Sequence, residues 1–596
     1  MSIIPCNICE RGCTLGDGKA GACGLYEQRE GHVVERFPNR YLVALPISIE
    51  TMPILHFYPG GKFLQISTTG CNFDCPGCIS TVIVREMPPT SSALRQLTPE
   101  QVVAKAIESG CMGIVFLMND PLASLPSFLS VASLARLKGL AVGCSSNAYF
   151  TEFSLARLIT CVDFINIGFK GFSDLDYRAC GAQSLNPVLR NLSTLYKSGV
   201  HVEIACIFTK DNREALRAMA SHIAGISREI PLQMMRFIPL EDVDVSQEPT
   251  IREAEEFCAE LRETLDYVYL FNSPGTDYLH TYCPSCGNTI YQREFYGPMG
   301  AKLKTPPNDF PADSRCPVCQ HKLNIIGCPA ETTYQEGDFE GGYPFTRALE
   351  MVEAMLIAMG VDNKAMVVKA WEELLVNEGL QRLHVGIQHP RTYIQLLRQL
   401  GGLLDITDRA EALSEYLEER LARIETALTS VTHRPRVYYA MGTPLFYLNG
   451  GRLENQLVEM AGGISTNREL PVGGRPGRTL SAAHLNALDP EIIFISAFIS
   501  STVEDFYTEC FRLGVRVGAV RTRRIYTHPA PGWDFGSPRW ILGLMYLASV
   551  LHPAHCDFDI TAEAKTFYRT FYGMDFVPRE VNRSFSKPAT RWKWTA

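Results

Sequence analysis

No stretch of this 596-residue chain is apolar for long enough to cross a bilayer. The longest strongly apolar helical pattern, Trp540 to Leu551, falls well short of the roughly 20 residues that a span needs. The opening Met1-Ser-Ile-Ile-Pro-Cys6 has no basic segment with an apolar one behind it, so no secretory signal is expected. Positive charge is not in excess either. The net charge of −8 argues against wholesale nucleic-acid binding. Only the region after residue 561 turns basic, with Arg579, Arg583, Lys587, Arg591 and Lys593 among few acids, and a solvated tail over 561–596 accounts for it. These absences predict a cytoplasmic protein whose partners include neither membrane nor nucleic acid. The composition, 46% hydrophobic and 20% charged, is that of an ordinary globular protein, and the length exceeds one core, so two large domains with smaller modules are expected.

What the chain does have is cysteine. In a reducing compartment, 20 cysteines suggest metal rather than disulfides, and most of them fall into three spaced groups. The most informative is Thr69-Gly-Cys71-Asn-Phe-Asp-Cys75-Pro-Gly-Cys78. Its spacing gives three thiolates to a cubane of four irons and leaves one iron open to a ligand; a closed zinc knuckle prefers paired C-x2-C and four ligands. The preceding Lys62-Phe-Leu-Gln-Ile-Ser67 alternates like a half-buried strand, which puts the cysteines on the loop after it. Here the chain resembles the radical S-adenosylmethionine (SAM) enzymes. The resemblance implies that the open iron binds the amino and carboxylate groups of SAM, and that an electron from a donor such as flavodoxin or ferredoxin cleaves it to a 5'-deoxyadenosyl radical. Many relatives carry an aromatic residue just before the third cysteine, where this chain has Gly77.

The first group is Cys6-Asn-Ile-Cys9-Glu-Arg-Gly-Cys13 with Cys23 beyond a glycine-rich turn, a module expected over 1–56. Four thiolates so close together can enclose zinc or an auxiliary iron-sulfur cluster, and spacing alone does not choose. The third is Cys283-Pro-Ser-Cys286 and Cys316-Pro-Val-Cys319, paired knuckles with the signature of a zinc ribbon over 281–328, with Cys328 as a spare.

Between them, over 57–280, apolar strand-like runs alternate with helical patterns. Strands are predicted at Phe63–Ser67, Gly113–Met118, Leu140–Ser145, Asp163–Phe169, Val200–Phe208, Leu232–Pro239 and Tyr267–Phe271. Helices include Thr98–Gly110, where Thr98 caps, Pro99 takes the first helical position and Gln101 closes a capping box. Continuous apolar strands separated by helices imply an α/β fold with a parallel sheet covered on its outside, a partial (β/α) barrel with reactive residues at the carboxyl ends of its strands. After a linker at 329–344 a second α/β region runs over 345–560. It reads as helices Tyr343–Gly360, Asp408–Thr432, Gln456–Gly462, Ser481–Leu488, Val503–Leu513 and Pro538–Leu551, with strands Arg434–Met441, Glu491–Ser496 and Arg516–Val520.

Motifs and order together resemble the AmmeMemoRadiSam family, itself similar to the activating enzymes of pyruvate formate-lyase, over about the first 327 residues. The resemblance implies SAM contacts from Asn119 and Asp120 in Met118-Asn119-Asp120-Pro121, from Ser146 and Asn147 in Ser146-Asn147-Ala148, and from Lys170, Glu203 and Arg236, while Gln233 stands where relatives usually have His. Cys111, Cys144, Cys161, Cys180, Cys206 and Cys258 read as small packed hydrophobes, with Cys144 and Cys206 near strand ends. The C-terminal region resembles the periplasmic binding proteins for cobalamin and iron-siderophore complexes, through Leu453–Gly463, Ser481–Phe494 and Ser537–Leu544. That implies two lobes joined by a long helix, with Tyr447, Trp533 and Arg539 near a cleft and a metal complex or cofactor precursor as ligand. The expected protein is a radical SAM enzyme whose second domain holds its substrate or product. An activating enzyme acting on a glycine of a partner protein, and a non-catalytic iron-sulfur ligand sensor, are the alternatives.

Overall fold

The computed structural model describes residues 3–239, 245–304, 314–336, 342–376, 379–472, 476–498 and 501–576. Its contacts divide the chain into two units. The first comprises Met1–Phe237, Ser246–Asn272 and Thr276–Arg347, and the second Ile238–Val245, Ser273–Gly275 and Ala348–Ala596.

In the first unit the apolar runs pair in chain order: β1 (Val43–Ser48), β2 (Lys62–Ser67), β3 (Gly113–Phe116), β4 (Ala141–Ser146), β5 (Phe164–Gly168), β6 (His201–Phe208), β7 (Leu232–Arg236) and β8 (Val268–Phe271). Strand β1 lies antiparallel on β2, every later pair is parallel, and the sheet stays open with β1 and β8 at its edges. The connections are α1 (Pro99–Glu108), α2 (Leu125–Leu137), α3 (Glu152–Ile159), α4 (Asp174–Ala179), α5 (Asn186–Lys197), α6 (Arg213–Ile226) and α7 (Ile251–Leu261). The capping box at the start of α1 forms as its sequence requires. Because side chains alternate along a strand, one set faces the helices: Leu64, Ile66, Phe116, Cys144, Ile167, Ile204 and Met234 join Val102, Phe128, Leu192 and Phe257 in a single core.

The other set faces inward and meets the segment that follows β1. Phe63, Val115 and Phe164 pack with Ile47, Ile49, Met52, Ile54 and Phe57. Gly143 makes this packing possible, since a Cβ there would lie 2.2 Å from the Phe164 ring. Polar inward residues grip the same segment: Asn166 Nδ2 donates to the Pro53 carbonyl (3.1 Å) and to Gln233 Oε1 (2.8 Å). Two short hairpins follow β8, Thr281–Tyr282 with Thr289–Tyr291 and Arg293–Phe295 with Ala301–Leu303. Buried Arg293 fastens them to the barrel through Glu50 (2.8 Å) and the Leu55 carbonyl (2.9 Å).

In the second unit, helices α8 (Gly342–Ala358), α9 (Lys364–Val376), α10 (Gly379–Gly386), α11 (Pro390–Leu403) and α12 (Thr407–Ala427) precede a sheet of β9 (Arg436–Met441), β10 (Thr443–Leu448), β11 (Ile464–Ser465), β12 (Gly477–Thr479), β13 (Ile492–Ile495) and β14 (Ile525–Thr527). Strands β9, β13 and β14 are parallel. Helices α13 (Leu453–Met460), α14 (Ala482–Leu488), α15 (Val503–Arg512), α16 (Gly518–Arg521), α17 (Trp540–Leu551) and α18 (Ile560–Tyr572) complete it.

The structure corrects several expectations here. Arg516–Val520 is not a strand: Asp489 accepts the Gly518 N–H (2.6 Å) and starts α16, and the strand comes later as β14. The expected tail begins with α18, whose Ile560, Ala564, Phe567 and Tyr568 are buried; its basic residues beyond 576 lie outside the described residues. Among the described residues this unit has one sheet preceded by helices, rather than two sheet-bearing lobes. The expected linker is partly tied down, because Glu336 accepts from Ser48 N (2.7 Å) and Thr51 Oγ1 (2.6 Å) and pairs with Lys302, while 337–341 lie outside the described residues. No helix among the described residues is long and apolar enough to cross a membrane.

Candidate functional site

Cys71, Cys75 and Cys78 occupy the loop leaving β2, at the carboxyl edge of the parallel strands, and all three are half-buried. Burial, with the nearby Asp120 carboxylate, pushes the Cys71 thiol well up. Cys75 is raised first by a hydrogen bond with the Cys180 thiol and then by burial, and Cys78 by burial. Each of the three lies in the field of the Lys170 ammonium. The surrounding cysteines and Asp120 raise the pKa of Lys170. Its Nζ stands over Gly168 at the end of β5, 3.4 Å from where a Cβ would be, and the side chain is exposed. Three half-buried cysteines on one loop offer the thiolates that iron takes, and a cluster there would have to displace their protons. Gly77 adopts φ +62°, and no atom of the described residues lies within 4 Å of where its Cβ would be.

The loop is held by its neighbours rather than by itself. Asn119, placed by Met118 at φ +81°, accepts from Thr68 N (3.1 Å) and donates to Thr68 Oγ1 and the Gly70 carbonyl (both 3.0 Å). Asp120 accepts from Leu122 N (2.9 Å), Ser146 Oγ (3.1 Å) and Asn147 N (2.6 Å). Asn147 in turn donates to Asn72 Oδ1 (2.8 Å), inside the cysteine motif. Arg85 donates to the Cys75 carbonyl (2.5 Å) and pairs with Asp74 (2.6 Å), while Arg11 donates to the Asn72 carbonyl (2.7 Å). In this structure Asn119, Asp120, Ser146 and Asn147 therefore spend their polar atoms on bracing the loop.

Glu203 and Arg236 stand apart from it. Glu203, fully buried, accepts from Leu55 N (3.0 Å), His56 N (2.8 Å), Gln233 Nε2 (2.5 Å) and His201 Nε2 (3.1 Å), so it holds the segment under the barrel. The imidazoles and amides around it offset the cost of its burial and lower its pKa. Arg236 shares the outward parity of Leu232 and Met234 and anchors the Pro249 carbonyl (2.9 Å), Glu248 (3.0 Å) and the Asn272 carbonyl (3.0 Å). Arg11, Asn72, Arg85 and the Cys180 thiol are the residues that sequence patterns did not single out. Cys180 had read as a packed hydrophobe, and only its place in space reveals a thiol beside Cys75.

The other cysteine groups differ in spacing. Cys283, Cys286, Cys316 and Cys319 bring their sulfurs within 4.8 Å of one another, the one such group found among the described residues. The Cys283–Cys319 and Cys286–Cys316 separations are 3.5 and 3.7 Å. Tetrahedral bonds of about 2.3 Å to one ion require sulfurs about 3.8 Å apart, so this set suits a mononuclear metal. Cys328 is not part of it. Cys6, Cys9, Cys13 and Cys23 sense one another electrostatically without meeting that spacing, and the Cys6 N–H donates to the Cys13 carbonyl (2.8 Å). In the second unit, Trp533 is fully buried against Phe576, and the Tyr447 hydroxyl donates to the Pro471 carbonyl (3.0 Å). Trp533 is thus a core residue and lines no open cleft.

Comparison with known proteins places these features. Residues 66–223 match the radical SAM superfamily and residues 372–531 the periplasmic binding protein family. An uncharacterized protein of Methanocaldococcus jannaschii is 30% identical over 331 residues, 54% of this chain and 96% of its own length. A periplasmic solute-binding protein of Veillonella parvula (24% identity, TM-score 0.29) matches 32% of this chain, and the chain spans 59% of its length. An ABC transporter solute-binding protein of Sulfurospirillum deleyianum (26% identity, TM-score 0.28) likewise matches 32% of this chain and is spanned over 60% of its length. With the cysteine loop at its place after the first parallel strand, and a relative matched over nearly its whole length, the chain belongs to the radical SAM superfamily and joins that domain to a periplasmic-binding-protein-like one.

Proposed function

We propose that this radical SAM enzyme reductively cleaves SAM at the Cys71–Cys75–Cys78 loop and acts on a small molecule held by its second unit. The observation that carries this reading is the set of three half-buried cysteines on the loop at the carboxyl edge of a parallel sheet, within the region that matches the radical SAM superfamily. Cys71, Cys75 and Cys78 would hold a four-iron cluster, which when bound would supply the electron for reductive cleavage of SAM. The chain's own residues bind and orient. Lys170, exposed and cationic, is the counter-ion offered to the SAM carboxylate. Asp120, Asn147 and Asn119 fix the loop, and the open space at Gly77 leaves adenine to other contacts. The sulfur spacing at Cys283, Cys286, Cys316 and Cys319 supports structural zinc. The wider set at Cys6–Cys23 takes zinc or an auxiliary cluster.

Support for a ligand in the second unit comes from the family match and from a buried polar cluster at the carboxyl ends of β9, β13 and β14, the edge where open α/β sheets take ligands. There Asp534 accepts from Ser496 Oγ (2.9 Å) and Ala497 N (2.8 Å), and His528 Nε2 meets the Tyr439 hydroxyl (2.5 Å). His528 Nδ1 has no hydrogen-bond partner among the described residues.

The test is anaerobic incubation of the iron-reconstituted full chain with SAM and a low-potential reductant, reading 5'-deoxyadenosine. The wild type should form it. Changing Cys71, Cys75 and Cys78 together to Ala should abolish it while bound zinc is unchanged. Deoxyadenosine from the triple variant would overturn the assignment.

A further inference from the structure

Arg11 lies between Cys9 and Cys13 of the N-terminal thiol group, yet its side chain works at the other cysteine loop. One guanidinium nitrogen donates to the carbonyl of Asn72, the residue after Cys71, at 2.7 Å. Another lies over the bare face of Gly181, 3.1 Å from where a Cβ would stand, which a left-handed backbone at φ +79° leaves open. Gly181 follows Cys180, whose carbonyl accepts from Asp74 N (2.9 Å) and whose thiol bonds with Cys75. A single guanidinium thus touches both sides of the loop: the backbone after Cys71, and the turn that supports Asp74 and Cys75.

The base of that side chain is fixed by its own module. The Glu10 N–H donates to the Tyr149 carbonyl (3.1 Å), the Ile8 carbonyl accepts from Ser154 Oγ (2.7 Å), and Glu10 pairs with Arg190 (2.7 Å). From the same module, Leu25 packs so closely on Gly70 that a Cβ there would lie 2.8 Å away. A long side chain loses rotamer entropy when held in one place, so it positions another group well only where its own Cα is rigid. A metal or cluster held by Cys9 and Cys13 would fix the chain two residues to either side of Arg11.

We propose that Arg11 is a positioning residue through which the N-terminal cysteine module sets the geometry of the Cys71 loop, so that filling the module's thiols prepares the loop for SAM. The inference rests on the loop being the SAM site. Arg85 makes the contrast, since it braces Cys75 and Asp74 from the segment just after Cys78 and reports nothing of the module.

The test compares wild type, Arg11→Ala, Arg11→Lys, the Cys9→Ser/Cys13→Ser double variant and the double variant combined with Arg11→Ala, all as the full chain reconstituted with iron and sulfide. Two readouts serve: the electron paramagnetic resonance spectrum of the reduced loop cluster with and without SAM, and SAM affinity by equilibrium dialysis. Arg11→Ala should keep the loop's iron but alter the SAM-dependent spectral change and weaken SAM by about tenfold, the worth of one charge-assisted contact. The double variant should do the same, and combining the two should add nothing, because both cut one line of coupling. Arg11→Lys keeps the charge and one donor and should recover part of both. Native spectrum and affinity in Arg11→Ala, or strictly additive effects, overturn the coupling. If Arg11→Ala fails to fold, Arg11→Lys decides: a wholly native spectrum and affinity overturn it, and intermediate ones uphold it. A wild type that binds no SAM would instead refute the assignment of the site itself.

Discussion

Glu203 and His528 are buried titratable residues whose surroundings assign them opposite duties. Glu203 is where four donors converge, from two backbone amides, an imidazole and an amide side chain. Removing it leaves those donors unpaired in the interior, at about 1–3 kcal/mol for each that finds no substitute. Glu203→Ala should therefore lower the melting temperature of the first unit by on the order of 10 °C, at a few degrees per kcal/mol, while SAM affinity of the folded protein is unchanged. A native melting temperature with weakened SAM would return Glu203 to the ligand set. His528 is neutral for a different reason. Burial pushes its pKa from 6.5 down to about 3. The unfolded chain then binds the extra proton between those values, so this contribution is complete above pH 6.5 and is lost as pH falls, at up to about 1.4 kcal/mol per unit. Asp534, whose pKa burial raises, acts in the opposite sense where it titrates. Denaturant titrations from pH 7.5 to 5 should show a steeper slope for wild type than for His528→Gln, in which the other buried histidines such as His552 still contribute. Equal slopes would show that His528 does not carry the effect.

If the proposed zinc sits on Cys283, Cys286, Cys316 and Cys319, the element carrying them is the one whose stability should depend most directly on a ligand. Its hairpins are two or three residues per strand, and their buried cysteines and Ile290, Tyr291, Leu303, Leu323 and Ile325 form only a small cluster. With so little apolar surface of its own, the element leans on polar anchors such as Arg293–Glu50, and a metal on its four cysteines would add a cross-link. Cys286→Ser should release one zinc per chain by elemental analysis and leave the loop cluster's iron in place. Retention of the metal, or loss of the iron with it, would refute that separation. Elements of the barrel were legible because strand and helix periods differ there over whole segments; each predicted strand forms within a few residues. In the second unit, α9 to α11 were not among the expected helices, and α10 and α11 carry Gly379, Gly386 and Gly401 inside them. Gly401 is there for packing: its Cβ would meet that of Ala410 on α12 at 2.3 Å. Short apolar alternation likewise misread Arg516–Val520, which a long-range cap from Asp489 turns into α16. The grouping of Cys283, Cys286, Cys316 and Cys319 was legible from spacing. The contacts of Glu203, Arg236 and Arg11 were not, since each joins residues far apart in the chain and leaves no local pattern.

At the scale of the whole molecule, the two units each own a core: the barrel's outer cluster in one, and in the other a cluster built on Tyr438, Ile493, Ile495, Phe506 and Val520. Units with separate cores unfold as separate cooperative blocks unless a large interface couples them. Calorimetry of the full chain should accordingly resolve two transitions. The three cysteine groups proposed to bind metal lie in the first unit, so chelation should lower only one of the transitions. A small molecule bound by the second unit should raise only the other, because a ligand that binds the native state alone stabilises it by RT ln(1 + [L]/Kd), about 2.7 kcal/mol at a hundredfold excess over Kd. For a block of this size that is a shift of roughly 5–10 °C, large enough to screen corrinoids, tetrapyrroles and metal chelates against the chain as it stands. A single transition that chelation and ligand move together would mean one cooperative block and would overturn the division. Two transitions with the second unmoved by any of these compounds, alongside a protein substrate radicalised on glycine, would overturn the receptor role and leave the division intact.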